Sequence, residues 1–112
     1  MTPGDQLRDF IYVEDVANAY TTLLAQADRL PFGFVEYEVG TGIATSIKEF
    51  SKMARRIIQS RSQLIFGALP QRPHEIMMSI ASTGPLNSYG WRASTSIGDG
   101  LSKTIVSKLN EC

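Results

Sequence analysis

The stretch Arg8-Asp9-Phe10-Ile11-Tyr12-Val13-Glu14-Asp15-Val16-Ala17 changes character in its middle. Residues 10–13 are apolar, aromatic and β-branched, which suits a short buried strand. From Val13 onward, Val13, Val16, Ala17, Tyr20, Leu23, Leu24 and Ala27 recur at spacings of three and four, which places them on one face of a helix. Glu14 and Asp15 fall in the first turn of that helix, where the positive end of the helix dipole favours carboxylates. Capping, rather than a catalytic dyad, is therefore expected of this acidic pair.

Downstream, Pro31 and Gly33 interrupt the pattern, and Val35, Tyr37 and Val39 alternate with Glu36 and Glu38, predicting a strand over 35–39. Ser46 followed by Glu49 reads as a capping box, and Ile47, Phe50, Ala54, Ile57 and Ile58 form the apolar stripe of a second helix. Lys48, Lys52, Arg55 and Arg56 then make a solvated basic face. Further strands are expected over 64–69 and 76–81, separated by a loop that holds Arg72, Pro73, His74 and Glu75. A short helical turn is expected over 85–89, with Gly90 as its terminating glycine and Trp91 packing behind it. A last helix is expected over 97–109, weakened at its start by Gly98 and Gly100. Alternating strands and helices without repeats or linkers define an α/β chain.

Composition narrows the function classes. The 112 residues suffice for one domain, and 11 Lys+Arg against 11 Asp+Glu leave no net charge to draw the chain to nucleic acid or anionic membranes. No apolar run approaches the ~18 residues that span a bilayer, and Met1-Thr2-Pro3-Gly4-Asp5 has no basic stretch followed by an apolar one. Cys112 is the sole cysteine and His74 the sole histidine, so an internal disulfide is excluded, a His/Cys metal site is not expected, and a reducing, cytoplasmic setting is the simplest one.

Three features bear on chemistry. Gly40-Thr41-Gly42 precedes the capped helix, where backbone amides could cradle phosphate, but no acidic residue ends the next expected strand, so a plain turn is expected. His74 is expected to be an exposed loop residue and not a triad member. Arg8 and Arg72 sit at strand or loop junctions, where a guanidinium can clamp a diphosphate through paired hydrogen bonds. Structural pairing with Asp9 or Glu75 would look the same, and the residues alone leave the two readings even.

The Arg8–Ala17 stretch closely resembles the Arg-Asp-Phe-x-x-Val-x-Asp-Val-Ala signature of the extended short-chain dehydrogenase/reductases, the NAD-dependent epimerases and dehydratases of nucleotide sugars. The same family's pattern continues in order through Tyr37-Glu38-Val39-Gly40-Thr41-Gly42, Ser46-Ile47-Lys48-Glu49-Phe50, Arg72-Pro73-His74-Glu75 and Gly90-Trp91-Arg92. His74 stands where the family usually has glycine, Ser82 where it often has aspartate, and Gly84-Pro85 where a more helical stretch is common. The Gly-Ala-Leu-Pro segment before Arg72 resembles dehydratase and epimerase members that act on CDP-linked or related sugars.

The resemblance implies an α/β fold in which residues 1–112 form a single segment, the C-terminal substrate-binding part of a Rossmann-type extended short-chain dehydrogenase/reductase. The N-terminal dinucleotide-binding portion is not in the chain. Its glycine-rich fingerprint is missing, and so is the catalytic Tyr-x-x-x-Lys pair: Tyr12, Tyr20, Tyr37 and Tyr89 are followed four residues later by Val16, Leu24, Thr41 and Ala93. The parent would pass a hydride from a sugar carbon to NAD or NADP and return it. This chain alone is expected to bind neither cofactor and to carry no catalytic, cofactor-binding or metal residue.

By the same resemblance, Arg8 and Arg72 would contact the substrate diphosphate and Glu75 the ribose. The expected partners are a nucleotide sugar, the absent Rossmann portion and a second copy of the chain, without nucleic acid or membrane. The competing reading is a free-standing small α/β module that binds a nucleotide or a protein without catalysis.

Overall fold

The computed structural model describes residues 3–59, 63–67 and 76–110. Three strands of two residues each, β1 (Leu7–Arg8), β2 (Thr45–Ser46) and β3 (Met78–Ser79), form one mixed sheet in the order β2-β1-β3. β1 pairs antiparallel with β2, Leu7 opposite Ser46, and parallel with β3, Leu7 opposite Met78. Helices α1 (Val13–Ala25), α2 (Ile47–Ile57), α3 (Gly84–Asn87) and α4 (Ile97–Asn110) surround it, and a 3-10 turn, Ala27–Arg29, follows α1.

Helix α1 begins where the sequence places it. Tyr12 is its N-cap, extended at φ −73° and ψ 139°, and its carbonyl accepts from the amides of Asp15 and Val16 at 3.0 and 3.4 Å. Helix α2 follows β2 without a break because Ser46 ends the strand and caps the helix at once. Its Oγ accepts from the Glu49 amide at 3.0 Å, the first half of the expected capping box. Ser46→Ala should therefore lower stability by about 1 kcal/mol, read as a shifted denaturation midpoint with an unchanged slope. The amides of Ile47 and Lys48 reach back to the carbonyls of Gln6 and Gly4, at 3.0 and 2.9 Å, and so fasten α2 to the start of β1.

The core is small. Among the described residues its buried hydrophobics are Ala19 of α1, Leu86 of α3 and Trp91, with Ile11, Leu23, Tyr37, Val39 and Ala93 packed around them. Gly90 has a φ of +88°, the left-handed conformation expected of a helix-terminating glycine, and it turns the chain so that Trp91 lies under α1. Phe10 stacks on Phe50 of α2, ring centroids 4.0 Å apart and planes 8° from parallel.

The expected strands need correction. Residues 10–13 and 35–39 belong to no strand, and neither do residues 63–67 of the segment expected over 64–69, the remainder of which lies outside the described residues. The strand expected over 76–81 shrinks to Met78–Ser79, and the short helix is Gly84–Asn87 and not 85–89. β-branched and aromatic composition marks a surface suited to a sheet, but a strand also needs an edge to pair with, and 10–13 and 35–39 find none among the described residues. Phe10 turns to Phe50 and Tyr12 to the start of α1 instead. α4 occupies 97–110 as expected, and Gly100 has a reason to be glycine: a Cβ there would lie 3.1 Å from the Cβ of Tyr12, where the helix crosses the α1 N-cap.

Candidate functional site

The two residues of the Arg-Asp pair do different work. Arg8 ends β1 half-buried, its Nη1 donating to the Leu7 carbonyl at 2.9 Å. It lines a groove of about 330 Å³ together with Asp9, Glu38, Val39, Ser79, Ile80 and Ala81. Asp9 is the hub of that groove's wall. Its Oδ1 accepts from the Thr41 amide at 2.8 Å and the Thr41 hydroxyl at 2.6 Å, and its Oδ2 from the amides of Gly42 at 2.8 Å and Ala81 at 3.2 Å. One carboxylate thus joins the end of β1, the glycine turn and the segment leaving β3, using all four of its acceptor directions.

Burial by itself would raise the Asp9 carboxyl, but the bonds from the Thr41 hydroxyl and the three amides outweigh it and hold the group below its ordinary value of 3.8. Asp9 is ionised and saturated, so it has no lone pair to offer an acid–base step. The glycine turn follows from the same contacts. A Cβ at Gly40 would lie 2.5 Å from both Asp9 Oδ2 and the Cβ of Ala81, and Gly42 sits at a φ of +78°.

The amides that Gly40-Thr41-Gly42 might have offered to a phosphate are directed at Asp9. The turn is therefore structural, as expected, although it follows no strand. Of the expected binding residues, Arg8 is on the groove, while Arg72 and Glu75, with Pro73 and His74, lie outside the described residues.

Asp15 is a second residue whose role exceeds its expected one. It lies in the first turn of α1 as predicted, yet it is only 2% exposed. Its carboxylate accepts from the Ser94 hydroxyl at 3.0 Å and the Thr95 amide at 3.1 Å, and its backbone carbonyl accepts from Trp91 Nε1, also at 3.0 Å. It ties α1 to the segment that leads into α4. Its burial could have been suspected from the sequence, because Asp15 shares a helix face with Ala19, four residues on, and with Leu23.

Among the described residues, no group of three His, Cys, Asp or Glu could hold a metal ion, and no helix is long and apolar enough to cross a membrane.

Solved structures of greater length share this arrangement. A UDP-glucose 4-epimerase from Thermotoga maritima, solved with UDP-glucose, superposes on 96% of this chain with a TM-score of 0.78 and 24% identity, using 33% of its own length. MoeE5, solved with UDP-glucuronic acid and NAD, superposes on 97% with a TM-score of 0.79 and 27% identity, using 35% of its length. The fold is thus a portion of a Rossmann-type extended short-chain dehydrogenase/reductase.

Residues 1–40 match the NAD dependent epimerase/dehydratase family. The CDP-abequose synthase of Salmonella typhimurium is 39% identical over 106 residues, 93% of this chain and 35% of that protein. The chain belongs to the NAD-dependent epimerase/dehydratase family and spans about a third of the length of the curated relatives it matches.

Proposed function

We propose that residues 1–112 are the C-terminal, substrate-binding segment of an NAD(P)-dependent epimerase or dehydratase of a nucleotide sugar, and that the segment does no catalysis by itself. The observation that supports this reading best is the placement of Arg8. It is half-buried on β1 and lines a groove whose wall is locked by Asp9. In this reading Arg8 and Arg72 grip the diphosphate of the substrate, and Glu75 accepts from the ribose. A diphosphate presents paired oxygens at the spacing of a guanidinium fork, which is why arginine rather than lysine suits the task. The 39% identity with a protein named for a CDP-linked sugar favours a cytidine base over uridine.

The described residues do not fit the nicotinamide cofactor. Their glycine turn ahead of a helix spends its Thr41 and Gly42 amides on Asp9, and a side chain at Gly40 is excluded on the same side. NAD or NADP would be held by the remaining part of the parent protein, and no hydride step is assigned to residues of this chain.

In that parent, Arg72→Ala should weaken binding of CDP and UDP by ~2 to 4 kcal/mol while leaving the melting temperature unchanged, and Arg72→Lys should recover only part of the loss. Arg8→Ala should act in the same direction. Titration calorimetry with the two nucleotides, beside thermal melts of each variant, gives both quantities. A lowered melting temperature with unchanged affinity would make these arginines structural and overturn the assignment, and measurable NAD reduction by the isolated chain would overturn the non-catalytic reading.

A further inference from the structure

Helix α2 carries a charge arrangement that neither the sheet nor the Asp9 groove uses. At 100° per residue, Lys48, Lys52, Arg55 and Arg56 fall within about 100° of arc, and the apolar stripe of Ile47, Phe50, Ala54 and Ile57 lies on the opposite side. Phe50 turns that stripe toward the body of the chain through its stack on Phe10. The basic face is expected to look out on water, but residues 63–67 return alongside it. Between them lies a groove of about 640 Å³, about twice the volume of the groove at Arg8. The four cations and a single carboxylate, Glu49, form one wall, and Leu64 and Phe66 form the other.

The helix by itself gains little from these charges. Its dipole accounts for Arg55 and Arg56, which lie in the last turn, but disfavours a cation at Lys48 in the first. Lys52 stands four residues from both Lys48 and Arg56, a spacing at which like charges repel. Among the described residues, neither Lys52 nor Arg56 has a carboxylate partner, and both are exposed. Lys48 is half-buried, with its Nζ 5.4 Å from the centroid of the Phe66 ring, so one cation is fixed where the two walls meet. The chain as a whole has as many acidic as basic residues, and the excess of cations is local to this groove.

We propose that the groove between α2 and residues 63–67 binds a nucleoside polyphosphate. Cations spread from Lys48 to Arg56, about 12 Å of helix, match a chain of two or three phosphoryl groups laid along the axis, where a single carboxylate or phosphate would leave most of them unanswered. The guanidinium forks of Arg55 and Arg56 suit the paired oxygens of those groups. The facing wall of Leu64 and Phe66 is apolar and aromatic, a surface on which a nucleobase packs, and the volume is that of a small-molecule site. Arg8 lies in a different groove, so the proposal stands apart from the reading given under Proposed function.

The test is calorimetric titration of ATP, and separately of inorganic tripolyphosphate, into the chain at low ionic strength. Both are expected to bind, ATP about ten-fold the more tightly because only it has a base to set against Leu64 and Phe66. Lys52→Glu with Arg56→Glu should weaken both ligands at least about ten-fold, whereas the charge-preserving pair Lys52→Arg with Arg56→Lys should stay within about three-fold of wild type. Neither pair should melt below wild type, since both side chains are exposed. Phe66→Ala should bring ATP down to the affinity of tripolyphosphate and leave tripolyphosphate unchanged, and Arg8→Ala should change neither.

Binding that survives the double charge reversal but falls with Arg8→Ala would put the ligand in the Arg8 groove and overturn the proposal, as would the absence of binding by either probe. Equal affinities for ATP and tripolyphosphate, indifferent to Phe66→Ala, would reduce the face to a collector of counterions and overturn the nucleoside assignment. A ten-nucleotide single-stranded DNA that binds more tightly than ATP and is lost with the same charge reversal would make the face a nucleic-acid surface, and the proposal would fail.

Discussion

Asp9→Ala is expected to lower the stability of the chain by about 3 to 5 kcal/mol, because it strands four donors on two separate segments at once. The Thr41, Gly42 and Ala81 amides and the Thr41 hydroxyl all point at this carboxylate, and an alanine gives none of them a replacement. Part of the cost is recovered by water reaching the groove, which keeps the loss below the sum of the four bonds. Asp9→Asn separates hydrogen bonding from charge. Its carbonyl oxygen can still serve Thr41, but its NH2 then faces the Gly42 and Ala81 amides, donor against donor, so it should lie between alanine and wild type. Urea denaturation followed by the fluorescence of Trp91, the chain's single tryptophan, measures the series.

The same carboxylate sets a pH dependence. Its folded value lies below the ordinary 3.8, so the unfolded chain binds the proton more readily. The contribution of Asp9 is fully present above the unfolded value and is lost as the pH falls through the lower folded one. Wild type should therefore lose stability on acidification below about 3.8 more steeply than Asp9→Asn does, and parallel acid titrations of the two proteins would contradict the hub role.

Trp91→Ala is the second large effect, about 3 to 5 kcal/mol. Trp91 is 3% exposed and is the largest of the three buried hydrophobics among the described residues, so its removal leaves a cavity that Ala19 and Leu86 are too small to refill. It also strands the Asp15 carbonyl, which accepts from Nε1 at 3.0 Å. Trp91→Phe keeps most of the volume and loses the hydrogen bond, and should cost about a third as much. Far-ultraviolet circular dichroism against urea follows both variants, since each removes the fluorophore. A Trp91→Phe loss equal to that of alanine would mean that the bond to Asp15, not packing, holds α1 over this core.

Helices α1, α2 and α4 could be read from the sequence because what makes a helix is local. Ser46 meets the Glu49 amide within one turn, and the spacing of Val13 through Leu24 imposes its faces wherever the helix lies. The family could also be read there, since Arg8 through Ala17 form a contiguous motif. The strands could not. Whether 10–13 or 35–39 becomes a strand depends on an edge supplied by residues distant in sequence, and the ladder that forms instead joins Leu7 to Ser46 and Met78, 39 and 71 positions away.

Tertiary structure alone also divided the labour within Arg8-Asp9. The residues alone left the arginines even between a diphosphate clamp and structural pairing with Asp9 or Glu75, and gave Asp9 no other role. The fold brings the amides of Thr41, Gly42 and Ala81 from two other segments onto that aspartate, and hydrogen bonds converging from so far along the chain leave no periodic trace in the residues that make them.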